Sequence, residues 1–192
     1  MSYDLKHIRN ICLLGHGGNG KTSLCESILF LAGMTDRLGR VADGNTVSDS
    51  DPEEVRRQIS ISASTAYAKW QDCKVNIIDT PGFFDFVGEV RQALRVADIG
   101  VICVAAKDGV NVGAEKSWKY LNDVQKPRAI YVSKLDEEHA NFFGTFESLR
   151  DTFGPSAIPF TFPILNGEQA VGIVDLIEKK AYDANGKEIP LP

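Results

Sequence analysis

Ile8-Arg9-Asn10-Ile11-Cys12-Leu13-Leu14, followed at once by Gly15-His16-Gly17-Gly18-Asn19-Gly20-Lys21-Thr22, is the stretch on which the fold turns. The first seven residues form an apolar run too short for a helix and too continuous for a strand with one wet face, so it predicts a strand buried on both sides. The next eight fit GxxxxGK[ST], the phosphate-binding P-loop, between a strand and a helical pattern as that motif requires. Glycines let successive backbone N–H groups curl around an anion, and the positive end of the following helix points at the same phosphates. Gly15, His16, Gly17, Gly18, Asn19, Gly20, Lys21 and Thr22 are thus the expected nucleotide-binding residues. Lys21 is placed to reach the β- and γ-phosphates, and the Thr22 hydroxyl to ligate Mg²⁺. His16 sits at the loop entrance and reads as structural.

Working outward, Val75-Asn76-Ile77-Ile78, Ile99-Gly100-Val101-Ile102-Cys103-Val104 and Ala129-Ile130-Tyr131-Val132 repeat the buried-strand habit. Ile59 to Trp70 alternates apolar with polar residues and predicts a strand near the sheet edge. Helical stripes lie between them: Leu24, Ile28, Leu31; Val87, Val90, Leu94, Ala97; Ala114, Trp118, Leu121; and Phe142, Phe146, Leu149, Phe153. Strand–helix alternation implies a three-layer α/β domain, a mostly parallel sheet with helices on both faces. Ligands in such sheets sit at the carboxyl ends of the strands. After about residue 155 the pattern changes to short runs punctuated by Pro155, Pro159 and Pro163, and Asn185-Gly186 predicts a hairpin turn in which both residues accept positive φ. The expected organisation is a P-loop nucleotide-binding domain over 1–156 and the beginning of a second, small β-containing unit over 157–192.

Two more loops lie at the ends of predicted strands. Asp79-Thr80-Pro81-Gly82 follows the strand ending at Ile78. Asp79 there can hold Mg²⁺ through water, and Gly82 can bring its N–H to a γ-phosphate. Ser133-Lys134-Leu135-Asp136 follows the strand ending at Val132. Asp136 can accept from guanine N1–H and N2–H₂ while the Lys134 stem covers the base, and adenine offers no donor at either place. The competing reading of Asp136 is a helix cap. Asp51-Pro52 reads as a helix start leading to Ser60, whose hydroxyl can reach Mg²⁺ in a segment ordered by a γ-phosphate. The plain alternative for Ser60 is an outward strand residue.

The 192 residues, 43% hydrophobic and 24% charged, have the composition of a soluble globular protein. No apolar run reaches membrane-spanning length, and the start lacks the apolar stretch of a secretion signal. Cys12, Cys25, Cys73 and Cys103 show no CxxC spacing and read as buried free thiols of a cytoplasmic protein. A net charge of −5 argues against a direct grip on nucleic acid.

The residues around these loops resemble elongation factor G over nearly the whole chain: Tyr3 to Lys6, the P-loop, Ile28-Leu29-Phe30, Asp49 through Ile61, Asn76 to Gly82, Asp85-Phe86, Leu94-Arg95-Val96 and Gly167 to Ile177. Asp36 to Val41 and Asp85 to Val90 look closest to the elongation-factor-G-like paralogues. The resemblance implies a Mg²⁺-dependent, monomeric translational GTPase that takes GTP to GDP on the ribosome. It also implies that the chain is a fragment, with the last guanine-contacting motif and the ribosome-engaging domains beyond Pro192. Four positions depart from the family pattern. Phe83 stands where the family has the His that orients the attacking water, so the catalytic set reads as Lys21, Gly82 and the changed position Phe83. Ser133 replaces Asn in the base-reading loop, Gly18 replaces Asp, and Ser60 replaces Thr while keeping the hydroxyl. Loss of an oriented polar group typically costs about 10²–10⁴-fold in rate, so binding should survive these changes better than catalysis. The alternatives are a ribosome-docking module that scarcely hydrolyses GTP, a ribosomal protection factor of the tetracycline-resistance kind, and a P-loop ATPase.

Overall fold

The computed structural model describes residues 3–167 and 169–192. Met1, Ser2 and, within the 167–177 match, Glu168 lie outside the described residues. Strands β1 (Ile8–Leu14), β2 (Ser64–Trp70), β3 (Cys73–Asp79), β4 (Ile99–Ala105) and β5 (Arg128–Ser133) form one sheet in the order β2-β3-β1-β4-β5. β1 runs parallel to both β3 and β4, and β2 pairs antiparallel with β3 at the edge. The helices are α1 (Lys21–Leu31), α2 (Pro52–Arg57), α3 (Val87–Val96), α4 (Val112–Asp123) and α5 (Phe142–Phe153). By packing the chain divides into two compact units, Met1–Val104 with Asn111–Tyr131, and Ala105–Val110 with Val132–Pro192.

In the first unit the alternation of side chains along β1 decides which helix covers which face. Leu13 joins Cys25 and Leu29 of α1 and Ile77 of β3 in one cluster. Leu14 turns to the other face, where it and Leu121 of α4 close on the backbone of Gly100; a Cβ there would lie 2.6 Å from Leu121 and 3.0 Å from Leu14. The sheet is therefore covered on both sides. The predicted stripe on α1 is followed in part, since Leu24 and Ile28 pack against that cluster. Leu31 is 78% exposed, while Lys21, Thr22, Cys25, Glu26 and Leu29 are buried. This helix must turn polar groups inward at the end of β1, which blurs its apolar pattern.

The edge strand also begins later than its alternation predicts, at Ser64 rather than Ile59. The N–H groups of Ile61 and Ser62 donate to the Glu54 carboxylate, and that of Ala63 to Glu89. Donors committed to side chains are not free to join a ladder, and 59–63 leave the sheet as a loop.

In the second unit β6 (Thr161–Asn166), β7 (Gln169–Asp175), β8 (Lys180–Asp183) and β9 (Glu188–Ile189) form a separate antiparallel sheet. Phe142 and Phe146 of α5 pack with Phe162 of β6 at centroid distances of 5.7 and 6.1 Å. The turn between β8 and β9 differs from the two-residue type predicted. Only Gly186 of the Asn-Gly pair has positive φ, because the Asp183 carboxylate accepts from Asn185 and Lys187 N–H and holds a longer loop. Cys12, Cys25 and Cys103 are buried free thiols and Cys73 is half-buried. Burial pushes Cys12 and Cys103 up to about 12, which leaves them inert. Among the described residues, no helix is long and apolar enough to cross a membrane.

Candidate functional site

The site in the first unit is built where β1 and β3 end. Gly20 takes a left-handed conformation (φ 81°) as the N-cap of α1, a turn that a side chain would strain. It lets the chain reverse from the loop into the helix. Asn19, 2% exposed, anchors the loop by donating from Nδ2 to the Cys103 carbonyl on β4 at 3.0 Å. Lys21 Nζ donates to the carbonyls of Gly15 at 3.1 Å and His16 at 2.8 Å, so the ammonium lies inside the loop. Burial lowers its pKa, and Asp79 pulls the other way.

Thr22, Ser60 and Asp79 come together as the spacing predicts. The Thr22 hydroxyl donates to Asp79 Oδ2 at 2.7 Å and lies 3.3 Å from the Ser60 hydroxyl. Ser60 is therefore turned toward Thr22, and its reading as an outward strand residue fails. Asp79 is 1% exposed, and its Oδ1 is buried without a hydrogen-bond partner. Burial raises its pKa to about 6, against the opposing pull of Thr22 and Lys21. A buried carboxylate with one oxygen unsatisfied beside two hydroxyls is the donor set a hard divalent cation takes together with phosphate and water. These residues fit Mg²⁺. Among the described residues there is no cluster of three or more His, Cys, Asp or Glu that could hold a metal.

Sequence reasoning missed Asp49. It is 5% exposed, and burial raises its pKa while the Ser60 hydroxyl opposes the shift. Nothing in its flanks, Ser48 and Ser50, marks it. The helix start read at Asp51 is present, and the structure closes it as a capping box with Glu54; neither that role of Glu54 nor its further bonds to Ile61 and Ser62 were read from the sequence.

Gly82 lies directly on the loop, since a Cβ there would fall 2.4 Å from Gly17 N and 2.5 Å from Lys21 Nζ. Only glycine permits that approach. The Phe83 ring covers Gly17, where a Cβ would lie 2.9 Å from ring carbon Cε2. His16 sits beside two aromatic rings, Phe83 at 6.4 Å and Phe84 at 5.9 Å. Its Nδ1 is buried without a partner.

The base-reading loop belongs to the second unit. Ser133 is buried, and its carbonyl accepts from Ala106 N–H at 2.9 Å. Lys134 has positive φ (59°) and pairs with Glu137 at 2.8 Å. Asp136 is exposed and caps no helix, because Asn141 caps α5 by accepting from Gly144 N–H. The helix-cap reading of Asp136 is thereby removed.

With this geometry in place, comparison with known proteins shows that the family described as the elongation factor Tu GTP binding domain matches residues 6–191. The chain is 42% identical to elongation factor G of Chlamydia caviae over 93% of its length, and 38% identical to that of Granulibacter bethesdensis over 96%. It spans 26% and 27% of those proteins. A crystal structure of a Thermus thermophilus protein superposes with a TM-score of 0.91 at 36% identity, covering 97% of this chain and 28% of that one.

Proposed function

Because this chain belongs to the elongation factor Tu GTP-binding domain family, we propose that it binds Mg·GTP and hydrolyses it to GDP and phosphate, within a cytoplasmic translation factor of the elongation factor G type that works on the ribosome. The observation that carries this reading is the meeting of Lys21, Thr22, Ser60, Asp79 and Gly82, from three stretches of the chain, around the P-loop. Backbone N–H groups of residues 15–22 and the N-terminus of α1 cradle the β-phosphate. Lys21 bridges the β- and γ-phosphates. Gly82 N–H donates to the γ-phosphate, where charge grows as the bond breaks. Thr22 and Ser60 would offer hydroxyls to Mg²⁺, with the Asp79 and Asp49 carboxylates behind them, and the ion would supply positive charge to the phosphate oxygens. In the second unit Asp136 accepts from guanine N1–H and N2–H₂, the Lys134 stem covers the base, and buried Ser133 supports the loop. The G domain is taken to span 1–156, with 157–192 the start of an insert.

Phe83 favours a second reading, a GTP-loaded docking module with little hydrolysis. A phenyl ring can neither donate nor accept a hydrogen bond, so water must be positioned by backbone or by a partner. Single-turnover phosphate release from GTP in the presence of ribosomes separates the two. The wild-type chain should release phosphate slowly but above the ribosome background. Phe83→His should accelerate release by about 100-fold. GTP bound without release in both proteins would select the docking module.

A further inference from the structure

We infer that Glu89 is a positioning residue that ties the Ser60 segment to the Gly82–Phe86 segment, so that the chain tells GTP from GDP with both segments moving as one. The inference rests on the nucleotide-binding reading above. Glu89 lies in the first turn of α3, where an acidic residue is ordinarily explained by the helix dipole. Its carboxylate does more than face that dipole. Oε2 accepts from Ala63 N–H at 2.9 Å, across to a segment 26 residues away. On the other side of the same loop Glu54, 4% exposed, accepts from Ile61 at 2.9 Å and Ser62 at 3.0 Å through Oε1. Its Oε2 accepts from Asp51 N–H. Three consecutive N–H groups after Ser60 are thus held by two carboxylates from two different helices, and charge-assisted bonds of this kind are the stronger ones.

The two carboxylates have different consequences. Glu54 belongs to α2, on the same stretch of chain as Ser60, and fixes the loop locally. Glu89 belongs to a helix that begins immediately after Phe84–Phe86, and that turn continues from Gly82, which rests on Gly17 and Lys21. A γ-phosphate that draws in the Gly82 N–H therefore acts on the first turn of α3, and through Glu89 on Ala63 and the Ser60 hydroxyl. Without the carboxylate, Gly82 and Ser60 answer the phosphate separately. GTP binding should then weaken while GDP, which engages neither, is held as before.

The test uses the whole 192-residue chain with fluorescent GDP and a fluorescent non-hydrolysable GTP analogue in Mg²⁺. Glu89→Ala should lower the preference for the analogue over GDP by about tenfold. Glu89→Gln, whose amide oxygen can still accept from Ala63, should restore most of it. In the ligand-free chain, hydrogen exchange at the Ala63 amide should quicken in Glu89→Ala and not at the core amides of β1. An unchanged preference, or an equal loss of both nucleotides with a lowered unfolding temperature, would overturn the inference alone. Failure of the wild-type chain to bind GDP would overturn the nucleotide reading beneath it.

Discussion

Replacing Lys21 by alanine is expected to lower the affinity for Mg·GDP and Mg·GTP by roughly 100-fold or more, since a buried cation bonded to phosphate oxygens is among the strongest contacts a site can make. The geometry makes the test selective. Lys21 is 5% exposed and lies inside its own loop, and burial holds its pKa below the usual range. Removing the ammonium leaves the Gly15 and His16 carbonyls without their donor and takes from buried Asp79 a cation that offsets its burial, which costs some stability. The nucleotide-free variant should therefore still unfold cooperatively, at a temperature somewhat below wild type. Collapse of binding with an intact melting transition is the expected pair of results, read by titration calorimetry and thermal unfolding. A folded variant with near wild-type affinity would remove Lys21 from the site.

The second large effect is a change of base. Asp136→Asn should weaken GTP binding by about 100-fold and raise that of xanthosine triphosphate. Xanthine carries an oxygen where guanine carries N2–H₂, and an amide can donate to it where a carboxylate is repelled. Asp136 is exposed before the base arrives, so the base must itself exclude water for the two hydrogen bonds to discriminate. The substitution removes no buried contact and should leave folding untouched. Competition of both triphosphates against a fluorescent nucleotide reads the change directly; an unaltered order of preference would mean that another residue reads the base.

The parts of the molecule legible in the sequence are those whose chemistry is local. A run such as Ile8 to Leu14 followed by Gly15 to Thr22 carries strand, turn and helix start within one window, and the structure follows it. Asp79 is readable for the same reason, being the last residue of a buried strand. Departures occur where a side chain from elsewhere intervenes. Nothing between Ile59 and Ala63 says that Glu54 and Glu89 will take its N–H groups, so the alternation predicts a strand from Ile59 where the ladder starts at Ser64. The apolar stripe on α1 holds at Leu24 and Ile28 but not at Leu31, because the inward face also carries Lys21 and Thr22 of the site and Glu26, which accepts from Val47 N–H. Asp49 lacks any flanking signal. Its role emerges only once Ser60 and Asp79 are brought beside it.

A site that reads guanine should discriminate between nucleotides in a competition titration. The chain is loaded with fluorescent GDP in Mg²⁺ and challenged in turn with GTP, GDP and ATP. Displacement by both guanine nucleotides, with ATP without effect at the same concentration, is the predicted result. Equal displacement by ATP, or no binding of the fluorescent nucleotide at all, would contradict it.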